Sequence, residues 1–121
     1  MKTEATGLYP FVPSGKDFNM ALAFFEALGF SEQWRSDGVA GLRFGGAYFI
    51  LQDFHNTVCQ ENMMVTFEVP GLEDYWQELQ AMELEKRFEG VRIRPPTDFP
   101  WGREMHIIDP GGVCWHVRQT A

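Results

Sequence analysis

Two of the three histidines in this 121-residue chain, His106 and His116, fall in one stretch, residues 100–118. There two alternating segments flank Asp109-Pro110-Gly111-Gly112, a pattern that predicts a β-hairpin. Side chains alternate between the two faces of a strand. On the second arm Val113, Trp115 and Val117 therefore point one way, and Cys114, His116 and Arg118 the other. On the first arm Met105 and Ile107 form the apolar side, with Glu104 and His106 opposite and Ile108 as an apolar exception. The two imidazoles thus share the non-core face of adjacent strands. Such a pair can hydrogen-bond a ligand or exchange protons near neutral pH. The structural alternative is a half-buried pair satisfied by Glu104 or by backbone.

These residues need elements to hold them. Leu8–Val12 reads as a short strand ended by Pro13-Ser14-Gly15. A helix follows from about Asp17 to Leu28, with Phe18, Ala21, Leu22, Phe25 and Leu28 at helical spacing and Gly29 as its stop. Strands are expected at Ser31–Ser36, Val39–Phe44 and Ala47–Asp53, joined by Asp37-Gly38 and Gly45-Gly46 turns. Residues 54–61 read as a polar linker. The order then repeats: a strand at Asn62–Val69, a helix from Leu72 to Met82, a strand at Glu85–Ile93, a proline-rich loop at Arg94–Pro100, and the hairpin.

The expected class is α+β: two βαβββ modules, 8–54 and 62–119, in a single domain spanning 1–121. Each module is marginal for burying a core alone. The predicted solution is two curled mixed sheets around a cleft, with the helices outside. By strand parity, Tyr48 and Gln52 on the fourth strand and Met64 and Thr66 on the fifth face that cleft. Arg43 on the third strand adds a cation able to neutralise a ligand carboxylate, although a surface salt bridge is its commoner fate. Trp101, in a Phe-Pro-Trp-Gly loop, is placed to stack on a planar ligand at the cleft mouth.

Composition narrows the classes. Hydrophobic residues make up 45% and aromatics 15%, enough for a thick core or an aromatic-lined cavity. The net charge of −7, without clustered Lys and Arg, argues against nucleic acid and is compatible with a cationic ligand. No apolar run reaches membrane-spanning length, so no membrane partner is expected. Two cysteines, Cys59 and Cys114, predict free thiols and a cytoplasmic setting. The chain has no nucleophile elbow, phosphate-binding glycine loop or zinc-type cysteine spacing.

Two βαβββ modules, with Ala23-Phe24-Phe25-Glu26-Ala27-Leu28-Gly29-Phe30 closing the first helix and Asp109-Pro110-Gly111-Gly112 before the last strand, resemble the vicinal oxygen chelate superfamily. It includes glyoxalase I, fosfomycin-resistance transferases, extradiol dioxygenases and bleomycin-resistance proteins. Pro13-Ser14 ahead of Asp17-Phe18, and Trp101-Gly102 ahead of the hairpin, are most similar to the bleomycin-resistance branch. In the enzymes, the resemblance implies a cleft metal held from four strands. The matching places here are Tyr9 or Pro10, Gln52, Met64 and His116.

Tyrosine, proline and a thioether are poor ligands for hard or borderline divalent ions. Gln52 and His116 remain, with His106 as an addition, and the set lacks a carboxylate. The resemblance therefore implies a small-molecule-binding homodimer without a metal cofactor, sequestering a toxic or antibiotic compound. Its ligand-binding residues would be Arg43, Tyr48, Gln52, Met64, Thr66, Trp101, His106 and His116. The alternative is a lyase, isomerase or dioxygenase using a divalent metal on Gln52, His106 and His116. A third reading is a scaffold whose cleft is filled by Tyr48, Met64 and Trp101.

Overall fold

The computed structural model describes residues 1–120. Its first half runs β1 (Phe11–Pro13), α1 (Phe18–Leu28), β2 (Ser31–Ser36), β3 (Val39–Phe44) and β4 (Ala47–Gln52). A short helix, α2 (Thr57–Glu61), leads on to β5 (Met64–Val69), α3 (Leu72–Ala81) and α4 (Leu84–Arg87). The chain then finishes with β6 (Arg92–Phe99), β7 (Gly102–Ile108) and β8 (Cys114–Gln119). Each half builds one four-stranded sheet, in the orders β1-β4-β3-β2 and β5-β8-β7-β6. In each sheet the first strand pairs in parallel with the last. Parallel neighbours need a long crossover, and a helix plus two antiparallel strands supply it both times. This is the α+β, twice-written βαβββ architecture expected from the order of elements.

Local chemistry explains the helix that packs first. Asp17 caps α1, its carboxylate accepting from the Met20 amide at 2.9 Å. Gly29 ends the helix at φ 119°, a left-handed conformation that suits glycine. Ala21, Leu22, Phe24, Phe25 and Leu28 are buried. The two modules share one core. Phe25 lies edge-on to Phe49 of β4 and Trp115 of β8, and Phe30 lies between Phe49 and Phe67 of β5.

Three stretches depart from the sequence expectation. The first strand begins at Phe11, not Leu8: its ladder with β4 runs only from Phe11 opposite Ile50 to Pro13 opposite Gln52, and Leu8 and Tyr9 take no part in it. The strand expected at 85–93 is displaced: α4 occupies Leu84–Arg87, and β6 starts only at Arg92 and runs through the expected proline-rich loop to Phe99. Pro95 and Pro96 are tolerated because β6 is an edge strand whose register shifts between Arg94 and Thr97. The expected linker contains α2, capped by Asn56. Gln60 of α2 is fully buried, donating to the Gly111 carbonyl at 2.7 Å and accepting from the Asn56 amide at 2.8 Å. That contact pins the linker to the hairpin turn.

The turn itself is organised by Asp109. One carboxylate oxygen accepts from the Gly111 and Val113 amides, and the other accepts from the Trp115 indole at 2.9 Å. Burial pushes this carboxyl up to about 6, against the pull of those donors. Unfolded, it ionises near 3.8. The folded state therefore holds an extra proton between the two values, and stability falls as pH rises through that window. Asp109→Asn is expected to cost about 1–3 kcal/mol, because its amide sets a donor against donors. It should also flatten the slope between pH 4 and 6 relative to the parent. Urea unfolding of both proteins across that range is the check, and equal slopes would refute the assignment.

Candidate functional site

The non-core face of the hairpin carries a cluster centred on Glu104, whose side chain is fully buried. Glu104 and His106 lie two apart on β7, so both project from one face, and β8 sets His116 opposite His106 and Arg118 opposite Glu104. One Glu104 oxygen meets His106 Nε2 at 3.1 Å and His116 Nδ1 at 3.0 Å. The other accepts from Trp101 Nε1 and Arg118 Nε, each at 2.9 Å. Burial alone would push this carboxyl up. The hydrogen bonds from His116, His106, Arg118 and Trp101 outweigh it and hold the group down at about 2. The carboxylate is therefore ionised at neutral pH and acts as a common acceptor.

Aromatic rings extend the cluster. Trp101 stacks on Phe99 at 5.0 Å, Phe99 on His106 at 5.2 Å, and His106 meets His116 at 4.2 Å between centroids. The Arg94 guanidinium lies 5.2 Å from the Phe99 ring centroid. Trp101 remains 58% exposed, so its outer face is free to stack.

A second feature lies at the seam of the two sheets. It is an open cleft of about 680 Å³, a size suited to a small organic molecule. Phe30, Phe49, Phe67 and Trp115 line it from the core side, and Tyr9, Arg43, Tyr48, Thr66 and Glu68 complete the polar and aromatic wall. Tyr48 is held from three directions. Tyr9 meets it edge-on at 4.8 Å, the Trp34 indole donates to its hydroxyl, and the Arg43 guanidinium sits 5.3 Å from its ring centroid. Gly41 makes room for this arrangement, since a Cβ there would collide with the Trp34 indole and the Tyr48 hydroxyl. Among the described residues Arg43 makes no ion pair, so its charge is available to a ligand.

The eight sequence-derived candidates thus divide. Arg43, Tyr48 and Thr66 meet at the seam cleft, while Trp101, His106 and His116 meet at the hairpin cluster. Gln52 ends β4 in the first sheet, and Met64 opens β5 with 70% of its surface exposed. Among the described residues Gln52 makes no side-chain hydrogen bond to either histidine, and the third donor beside the imidazoles is Glu104. Strand parity placed Glu104 on the right face and made it a candidate partner for the imidazoles, which it is; that its second oxygen also takes Trp101 and Arg118 had no signal in one dimension. Arg118 was itself missed, although it too follows from parity. A cleft plugged by Tyr48, Met64 and Trp101 is not found, because Met64 and Trp101 are exposed and the seam is open.

The four places at which the family resemblance implies a metal do not make a site here. Tyr9 packs on Tyr48, Met64 presents an exposed thioether, Gln52 sits on the first sheet, and His116 Nδ1 is engaged by Glu104. The donor set is chemically wrong for a divalent ion.

With the topology and both features described, the class of fold is clear: it is the one shared by bleomycin-resistance and glyoxalase-like proteins of known structure. A bleomycin-binding protein in complex with bleomycin superposes with a TM-score of 0.82 at 21% identity, covering 97% of this chain and 100% of that one. The bleomycin-binding protein of bleomycin-producing Streptomyces verticillus, bound to copper(II)-bleomycin, gives 0.80 at 20% identity, covering 98% and 99%. The FosX fosfomycin resistance protein of Listeria monocytogenes, with Mn(II) and sulfate, gives 0.72 at 15% identity, covering 98% and 93%. At these identities the likeness is one of fold. No family model and no curated protein matches the chain. None of the described helices is long and apolar enough to cross a membrane.

Proposed function

We propose that this protein binds a small planar organic molecule in the seam cleft without using a metal there, and so sequesters a toxic or antibiotic compound in the cytoplasm. The observation that carries the reading is the cleft itself. It has ligand size, its walls are aromatic, and it offers one unpaired cation, Arg43, beside Tyr48. Its lining holds no histidine or cysteine, and Glu68 is its one acidic side chain. Aromatic stacking, with a cation and a carboxylate on the wall to orient the ligand, is the chemistry of capture. Two solved structures that share the fold are bleomycin-binding proteins, which supports the same reading. Arg43 favours a ligand bearing an acidic group, whereas the net charge of −7 favours a cationic one. The local charge governs the final contact, because the global one is screened within about 10 Å.

The reading also has two copies of the chain pairing. Leu8, Phe11, Trp34, Met64 and Trp101 are large apolar side chains left exposed, and a second copy would cover such surface. A solution mass of one chain by light scattering would refute that element.

The test of capture is a titration with planar aromatic compounds, bleomycin among them, followed by tryptophan fluorescence. Tyr48→Ala is expected to weaken binding about tenfold, the equivalent of ~1.4 kcal/mol, while leaving the fold intact. Unchanged affinity in that variant, or no response to any compound at millimolar concentration, would refute the seam as the binding site.

A further inference from the structure

We propose that Glu104, His106 and His116 form a divalent transition-metal site on the hairpin, separate from the seam cleft and independent of the capture reading. The three ligand atoms lie within 4.8 Å of one another. Two of the separations, carboxylate to His106 Nε2 and carboxylate to His116 Nδ1, are 3.1 and 3.0 Å. Donors around a tetrahedral zinc at 2.0–2.1 Å stand roughly 3.3 Å apart, so the two carboxylate edges need to open slightly, while the edge between the imidazole nitrogens lies within the 4.8 Å span and is set by ring rotation. Two imidazoles and one carboxylate suit Zn²⁺, Co²⁺ or Cu²⁺ far better than Ca²⁺ or Mg²⁺.

The support around the ligands is already built. His106 and His116 face each other across β7 and β8 and are held by the strand ladder. Trp101 and Arg118 occupy the far oxygen of Glu104 and leave the near one aimed at the imidazoles. Outer partners of this kind orient a ligand and sharpen affinity. The two histidine side chains are 19% and 20% exposed, which leaves a path to the site and a fourth position for water or an outside donor. The site shares only His116 with the four-strand set implied by the family resemblance, and against the Gln52, His106 and His116 alternative it replaces Gln52 of β4 by the buried Glu104 of β7.

Two features oppose tight binding. Arg118 places a positive charge against Glu104, 2.9 Å away. Metal on His116 Nδ1 also moves that ring's proton to Nε2, a buried atom with no hydrogen-bond partner. The site is therefore expected to bind zinc in the micromolar rather than the nanomolar range.

The experiment is calorimetric titration of Zn²⁺ into untagged, chelator-treated protein, with Co²⁺ absorption as a second readout. One equivalent per chain and intense tetrahedral Co²⁺ bands are expected. His106→Ala and His116→Ala should each weaken zinc at least about tenfold, as should Glu104→Gln. Both histidines are partly exposed, so those variants fold even where Glu104→Gln does not, and thermal melting verifies this. His55→Ala with Cys59→Ser should bind as the parent does. Absence of saturable one-to-one binding, or parent-like binding by the His106→Ala/His116→Ala double variant, would overturn the proposal. Tyr48→Ala should retain zinc, which keeps a failure of this site distinct from a failure of the cleft.

Discussion

Trp115→Ala is expected to lose about 4 kcal/mol of stability, the upper range for removing a buried aromatic ring. The indole is 1% exposed and lies 5.3 Å from the Phe25 ring, 5.0 Å from Phe49 and 6.1 Å from Phe67, so it touches helix α1 and both sheets. Its removal opens a cavity where the two modules meet, and neither module has a core large enough to close over it. The substitution also takes from Asp109 its one side-chain donor, leaving a buried carboxylate with backbone partners alone. A domain of this size has roughly 5–15 kcal/mol in total. The variant should therefore unfold at a much lower urea midpoint. Trp115→Phe separates the two contributions, since it keeps most of the ring contact and loses only the hydrogen bond. A loss below about 1 kcal/mol in the alanine variant would mean that the indole does not join the modules.

Glu104→Gln is expected to cost about 2 kcal/mol at pH 7, the order found when one partner of a buried charged hydrogen-bond cluster is neutralised. That figure is discounted from the full effect because Arg118 and both histidines are partly in contact with water. Glutamine keeps the shape but turns one of its two ends into a donor, which then faces either the imidazoles or the indole and guanidinium. The acid limb identifies the mechanism. Glu104 sits at about 2 in the folded protein against 4.5 unfolded, so its contribution is complete above 4.5 and is lost as pH falls towards 2. The parent should weaken over that interval and Glu104→Gln should not. Chemical denaturation at pH 7, 4.5 and 2.5 makes the comparison. A variant that loses stability on acidification in parallel with the parent would remove Glu104 from the account. Asp109 works in the opposite sense, so the two carboxylates oppose each other where their windows overlap, at about pH 4.

Periodicity alone predicted α1 and α3 to within a residue or so, because each buries one apolar stripe. The β2–β3 and β3–β4 turns were equally readable from Asp37-Gly38 and Gly45-Gly46. The misplaced elements were those whose state depends on a partner elsewhere in the chain. Leu8 and Tyr9 alternate like strand residues, yet they stay outside the β1–β4 ladder, although Tyr9 packs on Tyr48 of β4. Pro95 and Pro96 argue against a strand until β6 is known to be an edge with a shifted register. Gln60 looked like linker polarity and is a buried tie to Gly111, more than fifty residues along the chain.

The candidate site divides in the same way. Parity along β7 and β8 follows from the pleat of any strand, so the sequence by itself determined that Glu104, His106, His116 and Arg118 share a face. It determined as well that Arg43 and Tyr48 are near one another, since a short hairpin sets their register. Only the tertiary structure decided that one carboxylate would collect both imidazoles, an indole and a guanidinium. It likewise decided that the cleft would open at the seam, with Arg43, Tyr48 and Thr66, and not over the histidines. Those outcomes rest on how two sheets and an aromatic core pack against each other. That packing is set by long-range contacts, and the local alternation of residues carries no record of them.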